Sequence, residues 1–225
     1  MMFGTVPART EVARAFATER FEGDRSETEK SLLSPSPRPD RRIERTRAAL
    51  REALVMLMTE KGYDAITVQD IIDRANVGRA TFYAHYDGKE ALHDAALDRL
   101  VEMLREQAEA RRRSGHESTL GACTAMFEHA HSHRALYRGL ISRRGGATVM
   151  HGIRKRMALL VREELERTKK RRGRDAIPLE LLVEHVVASF TAVLTWWMDR
   201  KTGYGPAEID GVFRRLTLPG IQSEL

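Results

Sequence analysis

The segment Ala75-Asn76-Val77-Gly78-Arg79-Ala80-Thr81-Phe82-Tyr83-Ala84-His85-Tyr86-Asp87-Gly88-Lys89 decides how this chain is read. Turn formers bracket it, Asn76 and Gly78 before and Asp87-Gly88 after, leaving room for a helix of about two turns. A helix that short is marginal in water, so its neighbours must hold it. Arg79, Phe82, Tyr83, His85 and Tyr86 crowd into it, more polar and aromatic chemistry than a connector needs.

Upstream, Ile43, Leu50, Leu54 and Leu57 fall on one helical stripe that Ala53 and Met58 widen, and Gly62 ends that helix. Thr67 followed by Asp70 has the pattern of a capping box, opening a helix with Val68, Ile71, Ile72 and Ala75 on its inner face. Asn76 tolerates the left-handed conformation that stops it. Helix, Asn-Val-Gly turn, helix is the spacing of a helix-turn-helix. Val77 should then point inward with Ile71 and Phe82, leaving Arg79, Thr81, Tyr83 and His85 outward. A helix fits the DNA major groove, where its N-terminal residues reach base edges. Tyr86 reads as core and Tyr83 as outward, while His85 is open between DNA contact and packing.

Beyond the segment, Lys89 opens a long helix with Leu92, Ala96, Leu100, Met103 and Leu104 on its apolar face. Its far end, Arg111-Arg112-Arg113-Ser114-Gly115, reads as exposed. Further helices are expected over 118–133, 135–142, 148–169, 178–201 and 206–216. Alternation of strand period is absent from the sequence, so the fold class is all-α. Residues 1–40, with Pro35, Pro37 and Pro39, read as a flexible arm. Residues 41–88 read as a three-helix DNA-binding domain, and 89–225 as a helical domain for effector binding and dimerisation.

The formal net charge of +6 and sequence pI of about 9.7 favour a polyanionic partner. Cys123 is the single cysteine, which excludes an intrachain disulfide and a four-cysteine zinc site. The most apolar run, 186–198, falls short of the roughly 20 residues of a membrane span, so a soluble cytoplasmic protein with no membrane partner is expected. No Gly-rich phosphate loop, nucleophile elbow or paired-carboxylate motif points to an enzyme, and no cofactor is implied. His129 and His133 share a helical face, but a metal site needs a third ligand such as Glu128 or His151; capping or exposed histidines are the simpler reading, and no metal is expected. The run Lys169-Lys170-Arg171-Arg172-Gly173-Arg174 is open between a nucleic-acid patch and a solvated loop.

Residues 43–92 resemble the DNA-binding region of the TetR/AcrR transcriptional regulators. The matching features are Gly62-Tyr63, Thr67-Val68 and the run from Val77 to Leu92, with Thr81-Phe82-Tyr83, His85-Tyr86 and Lys89-Glu90-Ala91-Leu92. The chain departs from the family pattern at Asn76, Gly78, Tyr86 and Gly88. The resemblance implies phosphate contacts from Thr67, Tyr83, His85 and Lys89, with Gly78 capping the reading helix and Arg79, Ala80 and Thr81 nearest the bases. Arg79 is the candidate for reading a guanine. The basic segment before the domain, including Arg42 and Arg45 beside Arg38, Arg41 and Arg47, is open between reaching the flanking backbone and a solvated helix start.

The resemblance further implies a homodimer on double-stranded DNA, formed by the last two long helices. The candidates for that interface are Val183, Val187, Phe190, Leu194, Trp197 and Phe213. A small apolar or amphipathic effector would sit among Met103, Cys123, Met126, Phe127, Tyr137, Met150, Met157, Phe190 and Trp196, residues that equally suit ordinary core. The expected function is a repressor that binds a palindromic operator and is released by that effector. The alternative is an effector-independent architectural DNA-binding protein, which a filled core would favour and an internal cavity would disfavour.

Overall fold

The computed structural model describes residues 41–115, 119–142, 146–168, 177–200 and 202–222. The N-terminal arm, with Arg38, and the 169–174 basic run lie outside the described residues. Helix α1 (Arg41–Lys61) leads through a 3-10 turn (Tyr63–Ala65) to α2 (Val68–Ala75) and α3 (Arg79–Tyr83). There follow α4 (Lys89–Arg113), α5 (Gly121–Ser132), α6 (Arg134–Ser142), α7 (Gly146–Thr168), α8 (Leu179–Asp199) and α9 (Pro206–Ile221). Among the described residues there is no strand.

The first three helices close around Leu50, Leu54, Ile71 and Phe82, all fully buried. Gly62 takes φ 80°, a left-handed conformation that frees the chain to leave α1. Helix α4, about 37 Å long at 1.5 Å per residue, runs from this domain into the second one. There Phe127 of α5 touches Phe190 and Trp197 of α8 and Phe213 of α9, with ring centres 4.9, 6.0 and 5.7 Å away. Aromatic rings meeting at steep angles gain beyond the area they bury.

Sequence periodicity ends α9 at 216, yet the helix continues to Ile221 with Pro219 inside it. Ile209, Phe213, Thr217 and Ile221 explain this, because they repeat every four residues and are all fully buried. Thr217 carries a hydroxyl in that stripe and satisfies it against Ser189 Oγ at 2.7 Å. Helix α8 is, by length and composition, apolar enough to cross a bilayer, contrary to the shorter run read from sequence. Its inward face is committed to the core through Leu182, Val186, Val187, Phe190, Leu194 and Trp197.

Two joints fix α4. At its start, the Lys89 ammonium donates to the Tyr63 and Ile66 carbonyls at 3.2 and 2.9 Å. Further along, Arg156 of α7 donates to Asp98 Oδ1 at 2.8 Å and to the carbonyl and carboxylate of Asp94. Beside that grip Gly152 lets the helices touch: a Cβ there would lie 2.5 Å from Leu97 Cδ1 and 3.3 Å from His93 Cε1.

Candidate nucleic-acid interface

The capping box expected at Thr67 forms in both directions. Thr67 Oγ1 accepts from the Asp70 N–H at 3.2 Å, and Asp70 Oδ2 accepts from the Thr67 N–H at 2.7 Å. Lys61 sits 2.7 Å from the same carboxylate oxygen. The Lys61 and Thr67 bonds hold the Asp70 carboxyl well below the usual carboxylate range. Thr67 remains exposed, but its hydroxyl proton is directed at Asp70 Oδ2, 2.6 Å away.

The turn follows from Asn76, left-handed at φ 52°, ψ 50°, and from the Val77 N–H, which reaches back to the Ile72 carbonyl at 3.2 Å. Val77 is half-buried against the core, as its inward reading requires. Gly78 is extended and caps α3 without a side-chain bond. Helix α3 is shorter than the sequence suggested, ending at Tyr83, although the His85 and Tyr86 N–H groups still bond the Phe82 carbonyl.

Phe82 is the anchor, fully buried, with Tyr86 buried 6.2 Å from it. Everything on the other side faces outward: Arg79, Ala80, Thr81 and Ala84 are exposed, and Tyr83 is 45% exposed. The Arg79 guanidinium carbon stands 5.7 Å from the Tyr83 ring centre, and Arg79 Nη1 points toward Gln69 Oε1 at 3.5 Å. Gln69 itself donates to Asp73 at 2.7 Å. It therefore belongs to the same exposed face, a residue that sequence reading passed over; its place in the first turn of α2, away from the apolar stripe, was the available signal.

His85 is half-buried beside Tyr86. Arg42 and Arg45 are exposed near the start of α1, and Arg47 pairs with Glu44 at 3.3 Å. Lys89 differs from the expectation of a direct phosphate contact. Its ammonium is drawn inward by two carbonyls and lies 4.4 Å from the Tyr63 ring centre, so two of its three donors are engaged by the loop before α2.

The interface expected among Val183, Val187, Phe190, Leu194, Trp197 and Phe213 needs correction, because all six are buried within the chain's own core. The outer stripe of α8 instead carries Leu181, His185, Ala188, Ala192 and Trp196, and Leu216 stands out on α9. Leu181 is 59%, Trp196 43% and Leu216 65% exposed. Trp196 is thereby removed from the expected effector pocket as well.

The remaining expected pocket residues also pack. Met126, Phe127, Tyr137, Met157 and Phe190 are buried, Met103 and Met150 are half-buried, and the apolar void beside Met126 and Met157 measures only about 10 Å³. Burial leaves Cys123 a small apolar side chain with its pKa pushed well up. A cleft of about 1010 Å³ lies elsewhere, between the end of α4, the start of α5, the end of α7 and α9. Charged and hydroxyl-bearing residues make up most of its lining, although they leave much apolar surface between them. The His129 and His133 rings lie tilted by 33° with centres 4.4 Å apart, and among the described residues no three metal-ligating side chains converge.

This architecture has relatives. The signature of bacterial regulatory proteins of the tetR family fits residues 50–96, and that of the tetracyclin repressor-like C-terminal domain fits residues 124–216. The chain belongs to the tetR family. It resembles the TetR transcriptional regulator of Streptococcus agalactiae 2603V, with 25% identity and a TM-score of 0.60 over 79% of this chain and 96% of that one. A TetR-family regulator from Syntrophomonas wolfei, 17% identical with a TM-score of 0.61 over 78% of this chain and 95% of that one, shares the fold.

In sequence, the HTH-type transcriptional regulator YxbF of Bacillus subtilis is 46% identical over 61 residues, 27% of this chain and 16% of that one. The negative transcriptional regulator IcaR of the biofilm operon icaADBC in Staphylococcus epidermidis is 39% identical over 44 residues, 20% of this chain and 24% of that one. The matches thus span less than two thirds of these two relatives' lengths. TetR-family proteins are transcriptional regulators rather than enzymes, and the relatives are named accordingly.

Proposed function

We propose that this tetR-family chain binds a palindromic operator in double-stranded DNA as a homodimer and represses transcription until a small molecule releases it. The observation that carries the reading is the contrast within α3. Phe82 is locked into the core, while Arg79, Ala80, Thr81 and Tyr83 are left to solvent on one face. A rigid anchor behind polar side chains is what groove reading requires, since base contacts specify only when the backbone presenting them is fixed.

One such unit reads few base pairs, so affinity calls for a second copy. The outer faces of α8 and α9, with Leu181, Trp196 and Leu216, are apolar enough to supply the pairing. Two reading units would then sit one helical turn apart, about 34–36 Å. Such a regulator works in the cytoplasm, beside the chromosome.

The filled apolar core favours the alternative of an effector-independent DNA-binding protein, whereas the polar cleft favours release by a ligand. A ligand seated there would bear on α4 and α7 and shift the spacing of the reading units. Selection of bound sequences from random DNA at two salt concentrations tests the reading. A palindromic motif, with log affinity falling by about 0.9 per log unit of salt for each phosphate neutralised, is the expected result. Salt-insensitive binding, or no enriched motif, would defeat it.

A further inference from the structure

The cleft at the far end of α4 is walled by charged side chains of α4, α7 and α9, with Ala108, Ala122 and Leu160 as apolar surface. Several of its charges are already spent. Arg214 donates to Asp210, to the Thr119 carbonyl and to the Thr124 hydroxyl, each at 2.7 Å. Arg105 is held by Glu102 and Glu163.

Two further cations are not spent in this way, and a third only in part. Arg111 pairs with Glu128 through Nη2 only, and its Nη1 is enclosed with no partner. Arg112 and Arg167 have no ion pair among the described residues. Against them stands Glu109. Glu164 is buried, its Oε1 accepts from the Ala122 N–H at 2.8 Å, and burial favours its neutral form. Arg113 follows Arg112 at the end of α4.

A buried guanidinium N–H without an acceptor is costly, and guanidinium groups match the oxygens of carboxylates and phosphates in bidentate geometry. We propose that this cleft binds an organic oxyanion, a carboxylate or phosphate carried on an apolar body. Arg111, Arg112 and Arg167 take the charged head, and Ala108, Ala122 and Leu160 take the body. The residues expected from sequence to hold an apolar effector take no part. That such binding also releases DNA rests on the effector reading proposed above; the binding itself does not.

The test uses the full chain and two fluorescent probes of the same aryl body, 1-anilinonaphthalene-8-sulfonate and the uncharged N-phenyl-1-naphthylamine. The expected result is saturable binding of the sulfonate at one probe per chain, displaced by decanoate or by phenyl phosphate. In the R112Q/R167Q double variant its affinity falls at least tenfold, the change expected for losing charge-assisted bonds, while the neutral probe is unaffected. R154Q/R162Q removes the same charge from α7 outside the cleft and leaves sulfonate binding intact.

Absence of saturable sulfonate binding, equal loss in both double variants, or tighter binding of the neutral probe would each overturn the oxyanion site. Displacement by decanoate alone or phenyl phosphate alone supports the site and names which oxyanion it takes. If the site behaves as expected but neither displacing anion changes operator affinity, the oxyanion site stands and release by an effector falls.

Discussion

The Lys89 ammonium lies 4.4 Å from the centre of the Tyr63 ring and donates to the Tyr63 carbonyl at 3.2 Å. One side chain thus seals the first turn of α4 to the loop that precedes α2. Burial and the nearby carboxylates push the Tyr63 hydroxyl up to about 12, so the ring stays neutral beneath the cation. Lys89→Met should remove about 2 kcal/mol of stability, the worth of charge-assisted bonds, and weaken binding to every DNA sequence. With the ammonium held by those carbonyls, the salt dependence of binding should keep its slope. A slope lower by about one would return Lys89 to the phosphate contacts.

Arg79→Ala should relax sequence preference at one position in each half-site, with about 1–3 kcal/mol of discrimination lost there. Gln69→Ala should act on the same position through Arg79, which it faces at 3.5 Å. Binding selections with both variants check this. Preference lost at different positions would separate the two residues.

Leu181→Glu, Trp196→Glu and Leu216→Glu replace exposed side chains and should leave helicity and melting nearly unchanged while shifting the chain from dimer to monomer in sedimentation. Phe213→Ala, in contrast, removes a fully buried ring and should cost about 3–5 kcal/mol of folding stability. Dimers that survive all three glutamate changes would move the pairing surface elsewhere.

Two buried groups give opposite pH responses. Burial, and secondarily His133, pushes the His129 imidazole from an ordinary 6.5 down to about 3. Unfolded His129 therefore takes a proton that the folded protein refuses; its stabilising contribution is complete above 6.5 and drains as pH falls toward 3. Chemical denaturation should show wild type losing up to about 1.4 kcal/mol per pH unit in that window, and His129→Leu losing less. Glu164 runs the other way: burial raises its pKa, so the folded state holds the proton longer. Its penalty grows as pH rises above the unfolded value of 4.5, and Glu164→Gln should gain on wild type from pH 4 to pH 7.

The turn chemistry of the reading unit was open to sequence because it is local. Asn76 and Gly78 announce themselves by conformation, Thr67 and Asp70 by spacing, and Phe82 by the period of its neighbours. Which way α8 faces is not local. Val187, Trp196 and Trp197 are equally apolar in the sequence, and only the arrival of Phe127 and Phe213 decides which rings are core. The cleft escaped for the reverse reason. Arg111 and Arg112 read as an exposed helix end until the chain brings the ends of α4 and α7, the start of α5 and α9 together around them.

Gly152 and Arg156 constrain any traffic between the two halves of the chain. The missing side chain lets the α4 and α7 backbones come close, and the guanidinium one turn later grips Asp94 and Asp98. Sliding would break that grip, whereas tilting about the point of closest approach preserves it. A ligand that moved the far end of α4 would therefore tilt the helix about this point, with the longer arm on the cleft side and the shorter one on the side of Lys89.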